Sequence, residues 1–219
     1  MIFHKKCLIF PLCVITLFCQ YLFPVYAESE RQEVIHKKVD YSTFNPDVLK
    51  KEADAFFVSA FDSDNEHLKQ HYYEIALKKY FIISQIYPAD YYSYVQMARI
   101  HDNMANSKLA KKYYHIAINL DKYNPYSNFY FGEYHFKRNL YYKALKYYLI
   151  AYNNGYENNF VTNLKLAELY EKLGDLKKSK ELYLKSYSLN SDSLVIKEKI
   201  QSLEALNYEQ TEYYHLIRE

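Results

Sequence analysis

The chain has 219 residues, with 28 Lys and Arg against 26 Asp and Glu, 28 tyrosines, 13 phenylalanines, no tryptophan and three cysteines. A charge so near neutral argues against nucleic acid or an anionic membrane surface as the chief partner. The cysteines, Cys7, Cys13 and Cys19, all lie in the first segment, so the rest of the chain has no disulfide, thiolate nucleophile or thiolate metal ligand.

Residues 1–27 read as a secretory signal. Lys5 and Lys6 form a basic start, Cys7 to Phe23 is nearly all apolar, and Val25-Tyr26-Ala27 places small residues where a signal peptidase reads. Cleavage would leave 192 of the 219 residues, beginning at Glu28, with 26 basic and 26 acidic side chains. The chain is therefore expected to be exported, to the periplasm or outside a bacterial cell. A membrane enters only if this segment is kept as an anchor, since its apolar run is almost of spanning length.

Residues 28–45 read as an extended linker. From 46 to 90 a helix near Asp47 to Phe61, a polar loop over Asp62 to Glu66 and a helix from His67 to Tyr87 form a degenerate first unit, or cap. Beyond it a period is plain. Tyr80, Tyr114, Tyr148 and Tyr183 are spaced 34, 34 and 35 residues, and a small residue stands four positions before each: Ala76, Ala110, Ala144 and Ser179. Aligned on those columns, units cover 91–124, 125–159 and 160–193. Within them Met97-Ala98-His101, Phe131-Gly132-His135 and Leu166-Ala167-Tyr170 repeat in register. A repeat this short cannot bury its own apolar face, so neighbours must stack into one continuous core.

Local signals agree with helices. Asn124 before Pro125 is an N-cap followed by proline at the first helical position, Gly174-Asp175 ends one helix and starts its partner, and Ser191 or Asp192 can cap the next. After the signal only Gly132, Gly155, Gly174, Pro46, Pro88 and Pro125 could break a helix. Residues 194–219, with Leu194, Ile196, Ile200 and Leu203, are expected to form capping helices that shield the last apolar surface.

These columns resemble the tetratricopeptide repeat, over roughly Asp64 to Ser193. The resemblance implies an all-α, right-handed solenoid of stacked helix-turn-helix hairpins, with small residues where the two helices of a hairpin approach and aromatics between hairpins. Departures are Asn128 and Asn163, where the family has an aromatic residue like Tyr94, and Ser179 and Ser186 in place of alanine.

Catalytic chemistry finds no foothold. His67 and His71 stand four apart on a helix, but the residue after His67 is Leu68, where a zinc protease has its glutamate, and no third ligand is apparent. His101 and His135 share a repeat column with Tyr170 and read as packing between repeats with one nitrogen satisfied. There is no Gly-rich phosphate loop, nucleophile elbow or paired-carboxylate pocket. No enzyme, cofactor or metal is expected.

The resemblance implies a protein or peptide partner held on the concave face by the first helix of each hairpin. The positions it assigns are Tyr92, Val95, Arg99 and Asp102; then Tyr126, Phe129, Glu133 and Phe136; then Val161, Leu164, Glu168 and Glu171. Of these Tyr92, Val95, Arg99, Tyr126, Phe129, Glu133, Phe136, Leu164 and Glu168 are the expected partner-binding residues, with an aromatic middle at Tyr126, Phe129 and Phe136. The lysine and asparagine set that clamps a terminal carboxylate is absent, its places taken by Val95, Arg99 and Tyr130. The expected function is an exported scaffold or adaptor that holds a protein segment while an envelope or secreted complex assembles. The alternative is a structural subunit that self-associates or docks into a larger machine through its repeat surfaces. The sequence leaves the oligomeric state open.

Overall fold

The computed structural model describes residues 40–218, with side chains as far as Leu206, so the signal expected at 1–27 and most of the linker lie outside the described residues. A short 3-10 turn over Tyr41–Thr43 replaces the end of that linker. Nine α-helices follow among the described residues: α1 (Pro46–Asp62), α2 (Glu66–Ile86), α3 (Tyr91–Asn103), α4 (Ser107–Leu120), α5 (Pro125–Phe136), α6 (Tyr141–Ala151), α7 (Phe160–Lys172), α8 (Leu176–Leu189) and α9 (Leu194–Arg218). Consecutive helices pair as hairpins, α1 with α2, α3 with α4, α5 with α6 and α7 with α8, and the hairpins stack into an all-α solenoid. The expected capping helices at 194–219 are one helix, α9, which packs on α8.

Asparagine and aspartate set the helix starts. Asn45, Asn65, Asp90, Asn106, Asn124, Asn159 and Asp175 each accept a hydrogen bond from a backbone N–H of the first turn, satisfying a donor that has no partner inside the helix. Only α6 begins without such a cap, at Leu140. For α9 the cap is Ser193, whose Oγ accepts from the Ile196 N–H at 3.5 Å, rather than Ser191 or Asp192. The turn inside each full hairpin is one motif. Ala105, Asn139 and Gly174 occupy the same column with φ of 58°, 56° and 81°, and the next residue's N–H donates back to the carbonyl of His101, His135 or Tyr170. That is the Schellman end of a helix, which wants the left-handed conformation that glycine adopts without strain.

The tyrosine column is the spine of the core. Tyr80, Tyr114, Tyr148 and Tyr183 are buried, and Ala76, Ala110, Ala144 and Ser179 are completely so, one turn earlier on the same helix face. Serine replaces alanine without leaving an unpaired hydroxyl, because Ser179 Oγ donates to the Ala167 carbonyl at 3.0 Å and Ser186 Oγ to that of Phe160 at 3.3 Å. Asn128 and Asn163 do work an aromatic ring could not. Asn128 Nδ2 donates to the carbonyls of Lys122 and Asn124, and Asn163 Nδ2 to those of Glu157 and Asn159, tying the loop between hairpins to the helix it enters.

The histidine column packs differently from the expectation. His101 stacks on Tyr113 and His135 on Tyr147, each pair inclined by 5°, so both rings lie within one hairpin instead of between two. His135 Nδ1 is buried without a hydrogen-bond partner. The one spacing of 35 also has a structural source. α6 runs into a π turn at Tyr152–Tyr156, with Gly155 at φ 121°, and this wider turn takes up the extra residue before Asn159 caps α7.

Candidate functional site

The first helices of the four hairpins, α1, α3, α5 and α7, carry all the residues expected to bind a partner, and α9 carries Val195 after them. Along this face the surface changes character midway. Over α1, α3 and α5 the side chains bind one another. Asp54 accepts from the phenols of Tyr80 at 2.5 Å and Tyr92 at 2.8 Å; Gln96 donates to Tyr92 at 2.8 Å, and Arg99 donates to Gln96 at 2.7 Å. The Arg99 guanidinium lies 4.6 Å from the Phe57 ring centre and 4.1 Å from that of Tyr130, two cation–π contacts that hold it against the surface. Tyr92 stacks on Tyr126 at 5.3 Å, and Tyr126 meets Tyr130 edge-on at 4.7 Å. Burial and the bond to Asp54 push the Tyr92 phenol up to about 12, and burial raises the Tyr126 phenol as well, so both stay neutral donors.

Two expected binding residues are core residues. Val95 is fully buried among Ala98, Ala110, Tyr114 and Phe131, and Phe129 is 8% exposed. Phe129 packs on Tyr130 at 5.3 Å, Tyr148 at 5.6 Å and Tyr156 at 6.3 Å. The physical reasons differ: Val95 is sealed where α3 approaches α5, whereas Phe129 is covered by α6 and the π turn that follows it. Glu133 is half-buried and accepts from the Tyr148 phenol, so it too serves the core column.

Over α5, α7 and α9 the face opens. Phe136, Leu164, Glu168, Glu171, Val195 and Lys199 line a cavity of about 340 Å³. The column that begins with the stacked Tyr92 and Tyr126 continues as Val161, 44% exposed, and Val195, 69% exposed. The rim is charged but paired. Lys165 donates to Glu168 at 2.9 Å, Lys199 to Glu171 at 2.8 Å, and the Tyr183 phenol to Glu171 at 2.9 Å. Burial raises the Glu171 carboxyl, but the bonds from Lys199 and Tyr183 outweigh it and hold the group below the usual carboxylate range.

Of the expected residues, the structure therefore brings Phe136, Leu164 and Glu168 together at the open end. Tyr92, Arg99 and Tyr126 join in the self-bonded end, and Val95 and Phe129 lie in the core. Sequence reading missed Asp54, Val195 and Lys199. Val195 stands 34 residues after Val161, so extending the period by one unit would have found it. His67 and His71 are exposed on α2, and among the described residues no group of three possible ligands could hold a metal ion.

The fold is that of a tetratricopeptide-repeat solenoid, and the solved structures it matches are proteins of that class. The MamA protein matches with a TM-score of 0.57 at 14% identity, over 78% of this chain and 88% of MamA. PilF of Pseudomonas aeruginosa matches at 0.59 and 19% identity, over 76% of this chain and 72% of PilF. A chain of the APC/C Cut9–Hcn1 hetero-tetramer matches at 0.59 and 14% identity, over 75% of this chain but 30% of its own length. No protein-family model and no curated protein matches the sequence.

Proposed function

We propose that the chain is an exported scaffold that holds a segment of another protein on the face made by α5, α7 and α9, in support of assembly of an envelope or secreted complex. The observation that carries this is the change along the face, from tyrosines that stack on one another to apolar side chains left exposed at Val161 and Val195 and half-buried at Leu164, beside a 340 Å³ cavity. Apolar surface gathered in a cleft with a paired, charged rim suits a protein segment more than a small polar molecule. One structural neighbour belongs to a hetero-tetramer, which is in keeping with a role in assemblies. Export rests on the basic start, the apolar run and Val25-Tyr26-Ala27.

The test is recovery of partners from native cell fractions with the wild-type chain and with Leu164→Ser and Val195→Ser. A partner that the wild type recovers and both variants lose, with both variants still folded, supports the reading. Equal recovery by all three overturns it. The amino terminus of the same material should read Glu28; a retained Met1 would contradict export by cleavage.

The structural-subunit reading has one observation of its own, since the self-bonded half of the face leaves little to offer a second protein. A symmetric dimer in solution that buries Val161 and Val195 would favour it.

A further inference from the structure

Charge is unevenly placed along this nearly neutral chain. Residues 104–151 hold eight Lys and Arg against two acids, Asp121 and Glu133. Both acids are engaged in the fold: Asp121 accepts from the Tyr123 N–H at 3.1 Å, and Glu133 accepts from the Tyr148 phenol. The helices α4 and α6 contain no acidic residue at all.

The tyrosine spine has a counterpart on the outer side of the second helices. Two residues before Tyr80, Tyr114 and Tyr148 stand Lys78, Lys112 and Lys146. Two steps turn an α-helix by about 200°, so burying the tyrosine aims the lysine outward. All three are exposed, as are Lys108, Lys111 and Lys143 beside them on α4 and α6. Among the described residues none of these six is in an ion pair, whereas Lys165, Lys178, Lys180 and Lys199 on α7, α8 and α9 each meet a carboxylate. The ladder ends at α8, where Glu181 takes the place of the lysine. The positive field reaches inside the hairpin, since Lys143 and Lys111 add to burial in lowering the His135 imidazole.

The side chains of this patch select the kind of anion. All six are lysine, a hydrated point charge that responds to charge density, whereas a docked carboxylate or phosphate is better gripped by the planar fork of arginine. Bases have no ring to stack on in the Lys-Tyr runs. Tyr113 and Tyr147 are taken up by His101 and His135, and Tyr114 and Tyr148 are buried. Tyr142 is 79% exposed beside Lys143, an amphipathic ring of the kind that settles at headgroup level.

We infer that the outer face of α2, α4 and α6 rests on a bilayer surface rich in anionic phospholipid, through Lys78, Lys112 and Lys146 and the lysines beside them. The inference goes beyond the proposed function and does not depend on it, because the face of the first helices stays free for a protein segment. Overall neutrality does not oppose it: exposed charges farther away than about 10 Å are screened, so the patch acts by its local excess.

The experiment is flotation of the protein, as recovered from expressing cells, with vesicles of phosphatidylcholine and with vesicles of equal parts phosphatidylcholine and phosphatidylglycerol. Binding should be stronger to the anionic vesicles and weaken as salt is raised. The double variant Lys112→Gln with Lys146→Gln should bind the anionic vesicles about 25-fold more weakly, about fivefold for each lysine near the surface. Lys177→Gln with Lys197→Gln makes the same change of net charge elsewhere and should lose much less. A retained apolar start could carry the protein to both vesicles, so lysine acetylation gives a second readout: Lys112 and Lys146 should be shielded on anionic vesicles and reactive on neutral ones. Equal effects of the two double variants, or equal acetylation on the two vesicles, overturns the inference. So does binding to polyglutamate or single-stranded DNA through Lys112 and Lys146 without binding to anionic vesicles, which would assign the patch to an acidic protein or a nucleic acid.

Discussion

Gly132 lies so close to the Tyr148 ring that a methyl group on it would stand 2.6 Å from Cδ1 and 2.7 Å from Cε1. The equivalent positions in the other units are Ala98 and Ala167, both buried, so glycine stands in the unit where the column tyrosine fills the space that an alanine methyl would take. Gly132→Ala would gain helix propensity of up to about 1 kcal/mol and meet an overpacking cost of about 1–3 kcal/mol. Net destabilisation is expected, read as a lower urea midpoint. Tyr148→Phe should not relieve it, because the clash is with ring carbons, whereas Tyr148→Leu should relieve it in part. A Gly132→Ala protein as stable as wild type would show that the ring moves aside freely.

The turn column gives a prediction of opposite sign. Ala105 is held at φ 58°, where its Cβ is strained, while Gly174 fills the same place at φ 81° without that cost. Ala105→Gly should therefore stabilise the protein by about 1 kcal/mol, even though glycine loses more backbone entropy on folding. Thermal melting decides it. A lower melting temperature would mean that the unfolded-state entropy of glycine wins at this turn.

Phe129 and Leu164 occupy one repeat column with different surroundings. Phe129→Ser should cost about 3–5 kcal/mol, as buried aromatic truncations do, and should unfold the middle hairpins. Leu164→Ser, at the open cavity, should cost less than about 1.5 kcal/mol and act on partner binding. Circular dichroism on both variants separates them, and equal stability would return Phe129 to the binding surface.

Stability should fall in mild acid. Burial, with Lys143, Lys111, Arg138 and His115 around it, pushes the His135 imidazole down to about 4, while the unfolded side chain titrates near the ordinary 6.5. Between those values the unfolded state binds the extra proton. The contribution of His135 is thus complete above about pH 6.5, is lost as pH falls toward 4 and levels off below that, with a slope of at most about 1.4 kcal/mol per pH unit. His101, also lowered by burial, adds to the trend. His135→Phe should flatten the melting temperature between pH 6.5 and 4.5, and an unchanged slope would place the titrating group elsewhere.

The repeating columns were legible because they describe contacts inside a hairpin and between neighbouring hairpins, which every unit must make in the same way. Tyr80, Tyr114, Tyr148 and Tyr183 could thus be placed in the core, and Asn124 and Pro125 at a helix start, from spacing and side-chain chemistry alone. Accessibility on the binding face depends instead on how near two successive first helices lie and on what bulk fills the gap. Val95 is sealed where α3 and α5 meet, and Leu164 in the same column stays half-open. Asn128 and Asn163 looked like losses from the motif because a column of side-chain types does not record the loop carbonyls that receive their amides.

The π turn after α6 bears on how such an array can vary in length. Its additional residue sits at a joint between hairpins, where neither the tyrosine spine nor the capped start of α7 has to shift register. An insertion inside α5 or α6 would rotate every later side chain on that helix by about 100° and turn buried columns toward water. The joint at Tyr152–Tyr156 behaves as an expansion gap in a rigid track: it accepts a change of one residue locally and passes none of it on to the hairpins beyond.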